Sequence, residues 1–299
     1  MSEFETIVGE PDGSIGTIER AGRSGSCAVD PATTNEIHSP QDAMSSPLGA
    51  VVAVPEQLHG FGGLHGGIAL AMTVSAISAS DAASGKSTPP SQVRSVHAAF
   101  RRSIRSDVTV AIPEWRRGRT VQSATTSVLS RGRSAITVDA TLAPSVHPSQ
   151  AFGPTVPTVA PPHGCDEFAL PPEFVPFGRF IEIRPTIAAR PFAGGSAPTL
   201  EAWIRMRDDD TPIDLGRLIV LLDALAPSAT ATMTDFVAIP TVELTVRPQP
   251  ALATARSPWM LLHAHSQVSD DGWVDERLDA WAPDGAHLGS ASQLRLVQP

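Results

Sequence analysis

The sequence predicts an α+β protein built of two similar units in tandem, each a curved antiparallel sheet wrapped around one central helix. Two observations carry this reading. Segments with strand-like alternation dominate the 299 residues, and only two stretches read as helices. The order of elements also repeats: extended segments, one helix, then four alternating segments separated by turn residues.

The first helix is expected over Leu64–Ile77, apolar nearly all round as an enclosed helix must be. The second is expected from Pro212 to Ala226. It opens Thr211-Pro212-Ile213-Asp214 and continues with Leu215, Leu218, Ile219, Leu221 and Leu222; threonine before proline, with an acid in the first turn, is a helix start. Strands should follow the first helix over Val93–Arg101, Val108–Trp115, Thr120–Leu129 and Ser134–Leu142, with Arg131-Gly132-Arg133 as a hairpin turn. After the second they should run over Thr241–Val246, Trp259–Ser266, Gly272–Trp281 and His287–Val297, turning at Pro283-Asp284-Gly285. Extended candidates precede each helix: Ser14–Arg20 and Ser26–Asp30 in one half, Arg179–Arg190 and Pro198–Arg205 in the other. Residues 144–176 are proline-rich without a sustained period and read as a linker, which makes the units 1–143 and 177–299. Asn35–Pro47 reads as a loop.

Composition narrows the function classes. With 41% apolar and 18% charged residues the chain should fold around a core. A net charge of −9 argues against nucleic-acid binding. No uninterrupted apolar run approaches the roughly 20 residues that cross a bilayer, and the N-terminus is acidic, so no membrane association is expected. The two cysteines, Cys27 and Cys165, offer neither a disulfide framework nor metal-ligand spacing, which fits a cytoplasmic protein without a metal. Between Arg94 and Arg133 nine arginines stand against two acids; this basic stretch could dock an anion or be a set of solvated strand and turn residues. The absence of a GxSxG elbow, a Walker loop and a GxGxxG after a strand removes most support for serine-hydrolase, nucleotide-hydrolase and dinucleotide-dependent readings.

Phe61-Gly62-Gly63-Leu64-His65-Gly66-Gly67, leading into the first helix, resembles the glycine-rich entry to the central helix of hotdog-fold thioesterases. Ser95–Arg102 resembles the strand ending in Phe and arginine in the TesB-like acyl-CoA thioesterase II family, and Arg116–Val121 its following strand turn. Leu200–Arg207, Leu221-Leu222-Asp223-Ala224, Pro240–Thr245 and Ser290–Arg295 continue the series in order, so the resemblance covers about residues 50 to 299. It implies a double hotdog fold and hydrolysis of an acyl-CoA thioester by a directly activated water, with no cofactor. A non-catalytic acyl-CoA or acyl-carrier binding protein of the same fold stays open, as do dehydration or cyclisation chemistry and homo-oligomerisation.

On that resemblance the water is held by Asp223 at the end of the second helix, Thr241 on the next strand and Gln293 on the last. Asp223 would accept the proton, and Thr241 and Gln293 would orient the water. Independently, Asp223 follows Leu218–Leu222, placing a carboxylate at the C-terminal end of an apolar helix, where the dipole is unfavourable to it. Backbone N–H groups at Gly66 and Gly67 could hold the developing oxyanion or simply allow close packing, with His65 in a supporting role. Arg116, Arg117 and Arg119 are the candidates for contact with CoA. The sequence departs from family members that carry an acid followed by histidine after the threonine, since Glu243-Leu244 stands there.

Overall fold

The alternating segments become, in a computed structural model, one continuous sheet. The structure describes residues 34–85, 91–145 and 153–298, so the expected strands Ser14–Arg20 and Ser26–Asp30 lie outside the described residues. In the first half the strands are β1 (Thr34–Glu36), β2 (Val51–Ala53), β3 (His59–Gly60), β4 (Gly63–Leu64), β5 (Gln92–Phe100), β6 (Val108–Val110), β7 (Glu114–Arg117), β8 (Gln122–Ser130) and β9 (Arg133–Ala143). In the second they are β10 (Ile181–Pro185), β11 (Thr199–Met206), β12 (Thr241–Pro248), β13 (Met260–Val268), β14 (Trp273–Trp281) and β15 (His287–Leu296). The helices are α1 (Pro40–Met44), α2 (Gly66–Ser84) and α3 (Leu215–Leu222).

A 13-stranded sheet runs β1-β2-β6-β8-β9-β5-β12-β15-β14-β13-β11-β10, with β7 added beside β8. β5 and β12, the first long strand after each central helix, form the seam. They pair antiparallel, with Val96 opposite Val246 and Ala99 opposite Glu243. Outward from the seam each half places its last strand next, β9 or β15, and then the strand before it, β8 or β14. The tandem repeat is thus arranged about a pseudo-two-fold, and pairing at the seam removes an exposed edge from each half.

Both central helices lie on one face of this sheet. Every residue of α2 from Gly67 to Ile77 except Ser75 is buried, which is why its sequence shows no polar stripe. By length and composition α2 would also cross a membrane, contrary to the expectation from uninterrupted runs; in the fold most of it is enclosed by protein. Gly85 at its end adopts the left-handed conformation that closes a helix. In α3, Leu218–Leu222 are five consecutive buried residues, packed among α2, β11, β12 and β15.

Several boundaries differ from expectation for local reasons. Val108–Trp115 is two strands, because Pro113 has no N–H to donate and Ile112 turns out to solvent. Asn35–Pro47 contains the end of β1 and α1, whose N-cap Ser39 accepts from Asp42 N–H with Pro40 at the first helical position. The second helix starts later than Thr211: Asp214 is the N-cap and accepts from Arg217 N–H at 2.8 Å. Residues 153–176 are irregular but packed, with Trp203 Nε1 donating to Ala160 C=O at 2.7 Å over a cluster of Trp203, Leu261 and Trp281. Asp209 ties the halves together. Burial pushes its carboxyl up, but hydrogen bonds from Thr211, Gln41 on α1 and Arg217 on α3 outweigh this and hold it below the usual range.

Candidate active site

α2 begins where α3 ends. In the first turn of α2, Ala69 N–H is the first to find an intrahelical acceptor, His65 C=O, which leaves the N–H groups of Gly66, Gly67 and Ile68 to other partners. Asp223, the residue that closes α3, turns its carboxylate to them, and Gly67 N–H donates to Oδ2 at 2.7 Å. The dipole problem read from the sequence is met in this way: the carboxylate sits at the negative end of its own helix and at the positive end of the other. Such proximity demands glycine. A Cβ on Gly66 would stand 2.9 Å from Asp223 Oδ2 and 3.0 Å from the Phe100 ring, and one on Gly67 would stand 3.0 Å from Val220 Cα.

His65 fixes the same turn from the backbone side. Its Nε2–H donates to Asp223 C=O at 3.0 Å and lies 3.7 Å from Oδ2, while the ring stacks on Phe177 with centroids 4.0 Å apart. Burial pushes the imidazole below its ordinary value of 6.5, against the pull of the Asp223 carboxylate. A neutral ring protonated on Nε2 follows, with Nδ1 buried and without a partner among the described residues.

The strand residues arrive through a register irregularity. Gln293 on β15 pairs with Leu244 on β12, and Arg295 pairs with Thr241, with a shift between Thr241 and Glu243. Cross-strand partners share a face, yet Thr241 and Leu244 are three residues apart and would face opposite ways in a regular strand. The bulge turns both toward the core. Thr241 Oγ1 therefore reaches Gln293 Oε1 and donates to it at 2.8 Å. Gln293 is 1% exposed, and its Nε2 has no partner among the described residues, so a buried donor remains available to a ligand. Glu243 falls on the opposite face, with Leu294.

Two charged residues join this group. Arg295 lies two residues from Gln293 on the same face, with its Nη2 4.0 Å from Asp223 Oδ1. Its Nε donates at 2.7 Å to Oε2 of Glu276 on β14, which is 1% exposed. Neither was singled out from the sequence as a site residue. The signal was present: Val274, Glu276 and Leu278 alternate with exposed residues, so parity alone puts Glu276 on the buried face.

The structure thus brings Asp223, Gly66, Gly67 and His65 together and joins Thr241 to Gln293, with Arg295 bridging toward Asp223. It gives two expected residues other work. Gly67 N–H is engaged by Asp223, leaving the N–H groups of Gly66 and Ile68 without an acceptor among the described residues; Ile68 is fully buried, so Gly66, which is partly exposed, is the amide open to an oxyanion. Arg117 pairs with Asp81 at 2.7 Å and stacks on Trp115 at 4.2 Å, beside the C-terminal end of α2. Asp81 is fifteen residues from Gly66, or about 22 Å along the helix. Arg116 and Arg119 are exposed beside that remote end. The Arg117 guanidinium is thus held by a partly buried carboxylate. His97, on the face away from the helices, hydrogen-bonds Thr245 across the seam at 2.9 Å. No group of three or more His, Cys, Asp or Glu is placed to hold a metal among the described residues.

Comparison with known proteins agrees with this architecture. Residues 54–150 match the acyl-CoA thioesterase N-terminal domain and residues 155–297 the acyl-CoA thioesterase C-terminal domain. Among solved structures, a hot dog fold protein of unknown function from Alicyclobacillus acidocaldarius superposes with a TM-score of 0.72 at 22% identity, over 83% of this chain and 92% of that one. The acyl-CoA thioesterase II TesB2 from Mycobacterium marinum gives 0.61 at 17% identity, over 78% and 88%. The tesB protein of Mycobacterium avium subs paratuberculosis gives 0.64 at 16%, over 88% and 100%. No curated protein matches the chain. The solved structures share the hotdog fold; the two domain matches, in order and together spanning most of the sequence, show that the chain belongs to the acyl-CoA thioesterase family and is a thioester hydrolase.

Proposed function

We propose that the chain hydrolyses an acyl-CoA by direct attack of a water activated by Asp223. The observation that carries this is the Asp223 carboxylate itself: its side chain is 8% exposed, it is held by Gly67 N–H, and it is linked through Arg295 to the strand that presents Gln293. Because Oδ2 is engaged, Oδ1 is the oxygen that takes the water proton. Gln293 Nε2 and the Thr241 hydroxyl orient the water, and hydroxide adds to the thioester carbon. The carbonyl oxygen becomes an oxyanion facing Gly66 N–H at the start of α2. Collapse expels the thiolate, which recovers the proton from Asp223 and leaves as the free thiol, so the carboxylate is regenerated.

Thiol release from a panel of straight-chain and aryl acyl-CoAs tests this. Asp223→Asn keeps the shape and an acceptor for Gly67 N–H but removes the base, and kcat should fall by about 10²–10⁴-fold. Unchanged release would remove Asp223 from the chemistry.

A further inference from the structure

Arg295 and Glu276 are buried charges that the hydrolytic steps do not use. Glu276 is fully engaged: Oε1 accepts Ser228 N–H at 2.6 Å, and Oε2 accepts Arg295 Nε at 2.7 Å. Ser228 is five residues beyond Asp223, so Glu276 pins the far end of the turn that His65 holds at Asp223 C=O. The guanidinium, 7% exposed, lies between two carboxylates, bonded to one and 4.0 Å from the proton-accepting oxygen of the other. Buried charge is retained only where partners balance it, and truncating one member leaves the others uncompensated.

The other groups around Asp223 do not supply a positive charge. Before α2 stands His65, which burial keeps neutral, and α2 itself presents only the Gly66 and Gly67 amides. His59, beyond Gly60, sits near Glu56 and Arg105 and is likewise held low by burial. β5 contributes the Phe100 ring, its His97 being turned to the other face. On β12, Thr241 faces the site and Glu243 faces away. On β14 the charged neighbour is Glu276, itself an anion, reached through Arg295.

We infer that Arg295, oriented by Glu276, is a positioning residue that sets a positive charge against the Asp223 carboxylate and turns its Oδ1 toward the water. The inference rests on Asp223 being the base. Glu276 acts in two directions: it aims the guanidinium and also draws part of its charge away from Asp223. Opposite consequences follow for the two substitutions.

The test is the pH dependence of kcat for the acyl-CoA that the unmodified chain turns over fastest, together with the carboxyl ¹³C resonance of Asp223, assigned by its loss in D223N. In Arg295→Gln the acid limb and the ¹³C midpoint should move up by about one pH unit or more, so that kcat is lowered on the acid limb, roughly tenfold per pH unit of displacement, and recovers toward the plateau at higher pH. Arg295→Lys should return most of the shift, and Glu276→Gln should move both midpoints down. Should R295Q fail to fold with Glu276 stranded, the pair E276Q/R295Q, neutral and still able to hydrogen-bond, takes its place and should lie above E276Q alone. A drop in kcat that is flat across pH, with the ¹³C midpoint unmoved, would make Arg295 purely structural and overturn the inference. Full activity of D223N would overturn the base assignment instead, a separate failure.

Discussion

The two halves present the same sheet to the helices and furnish it differently. The core-facing row that crosses the seam reads Thr126, Val138 and Ala98 on one side, then Leu244, Gln293 and Glu276 on the other. One strand out from the seam, the N-terminal half has a valine where the C-terminal half has a glutamine whose Nε2 has no partner among the described residues. Two strands out, Thr126 satisfies itself on Ala111 C=O at 2.6 Å, whereas Glu276 holds the arginine behind Asp223. The helices divide in the same way: α2 offers backbone N–H groups from a sealed apolar cylinder, and α3 offers a carboxylate. Buried polar groups are costly, so a duplicated fold can confine them to one copy and leave the other apolar. Each half alone would carry either the amides or the acid.

That contrast can be broken by exchanging residues across the seam. Gln293→Val copies the N-terminal half into the C-terminal one. Thiol release should fall by about 10²–10³-fold, while the melting temperature holds or rises, since an unsatisfied buried donor costs about 1–3 kcal/mol. A large loss of stability with activity retained would make Gln293 a structural residue. The reverse exchange, Val138→Gln, should destabilise the fold in urea by about 1–3 kcal/mol and leave kcat in place. Next in size come the first turns of the helices. Gly66→Ala puts a methyl 2.9 Å from Asp223 Oδ2, and activity should drop at least tenfold with about 1–3 kcal/mol of strain. Gly216→Ala, in the first turn of α3, meets the flexible end of Met44 at 2.7 Å and should stay within about 1 kcal/mol of neutral, with kcat unchanged. Equal effects at the two glycines would erase the distinction between a helix whose first turn faces the carboxylate and one whose first turn only packs.

The smallest effect concerns His65. Its folded-state value lies below the ordinary 6.5 because burial disfavours the cation, so between those values the unfolded chain binds more protons. Stability is complete above pH 6.5 and declines as the pH falls toward the folded value. Melting temperatures at pH 7.5 and 5.5 should separate more in the unmodified chain than in His65→Gln; the same separation in both would mean that His65 does not report the site.

Much of the fold was legible because alternation and turn chemistry are local. The hairpin turn at Arg131-Gly132, both at positive φ, and the one at Pro283-Asp284-Gly285 were readable from residue type, as were the strands they join. Pro113 was equally visible but was read through, although a proline inside an alternating run should have ended the strand. Asp223, Thr241 and Gln293 came from family resemblance. Thr241 by parity with Leu244 would have been placed on the wrong face, because a bulge has no signature in single-residue pattern. The pairing of Arg117 was not readable because cationic side chains look alike in sequence, and only the fold shows which of them faces Asp81.

The sequence by itself determined the two-fold repetition, the apolar character of both central helices and the presence of a carboxylate at the end of the second. Those properties follow from periodicity and composition over a few residues. Tertiary structure alone decided that this carboxylate meets the first turn of the other helix, that Gly67 is spoken for while Gly66 is open, and that Arg295 stands between two buried acids. Each of these depends on residues more than 150 positions apart, or on neighbouring strands, being brought within hydrogen-bonding range, and no local pattern encodes which partners a buried charge will find.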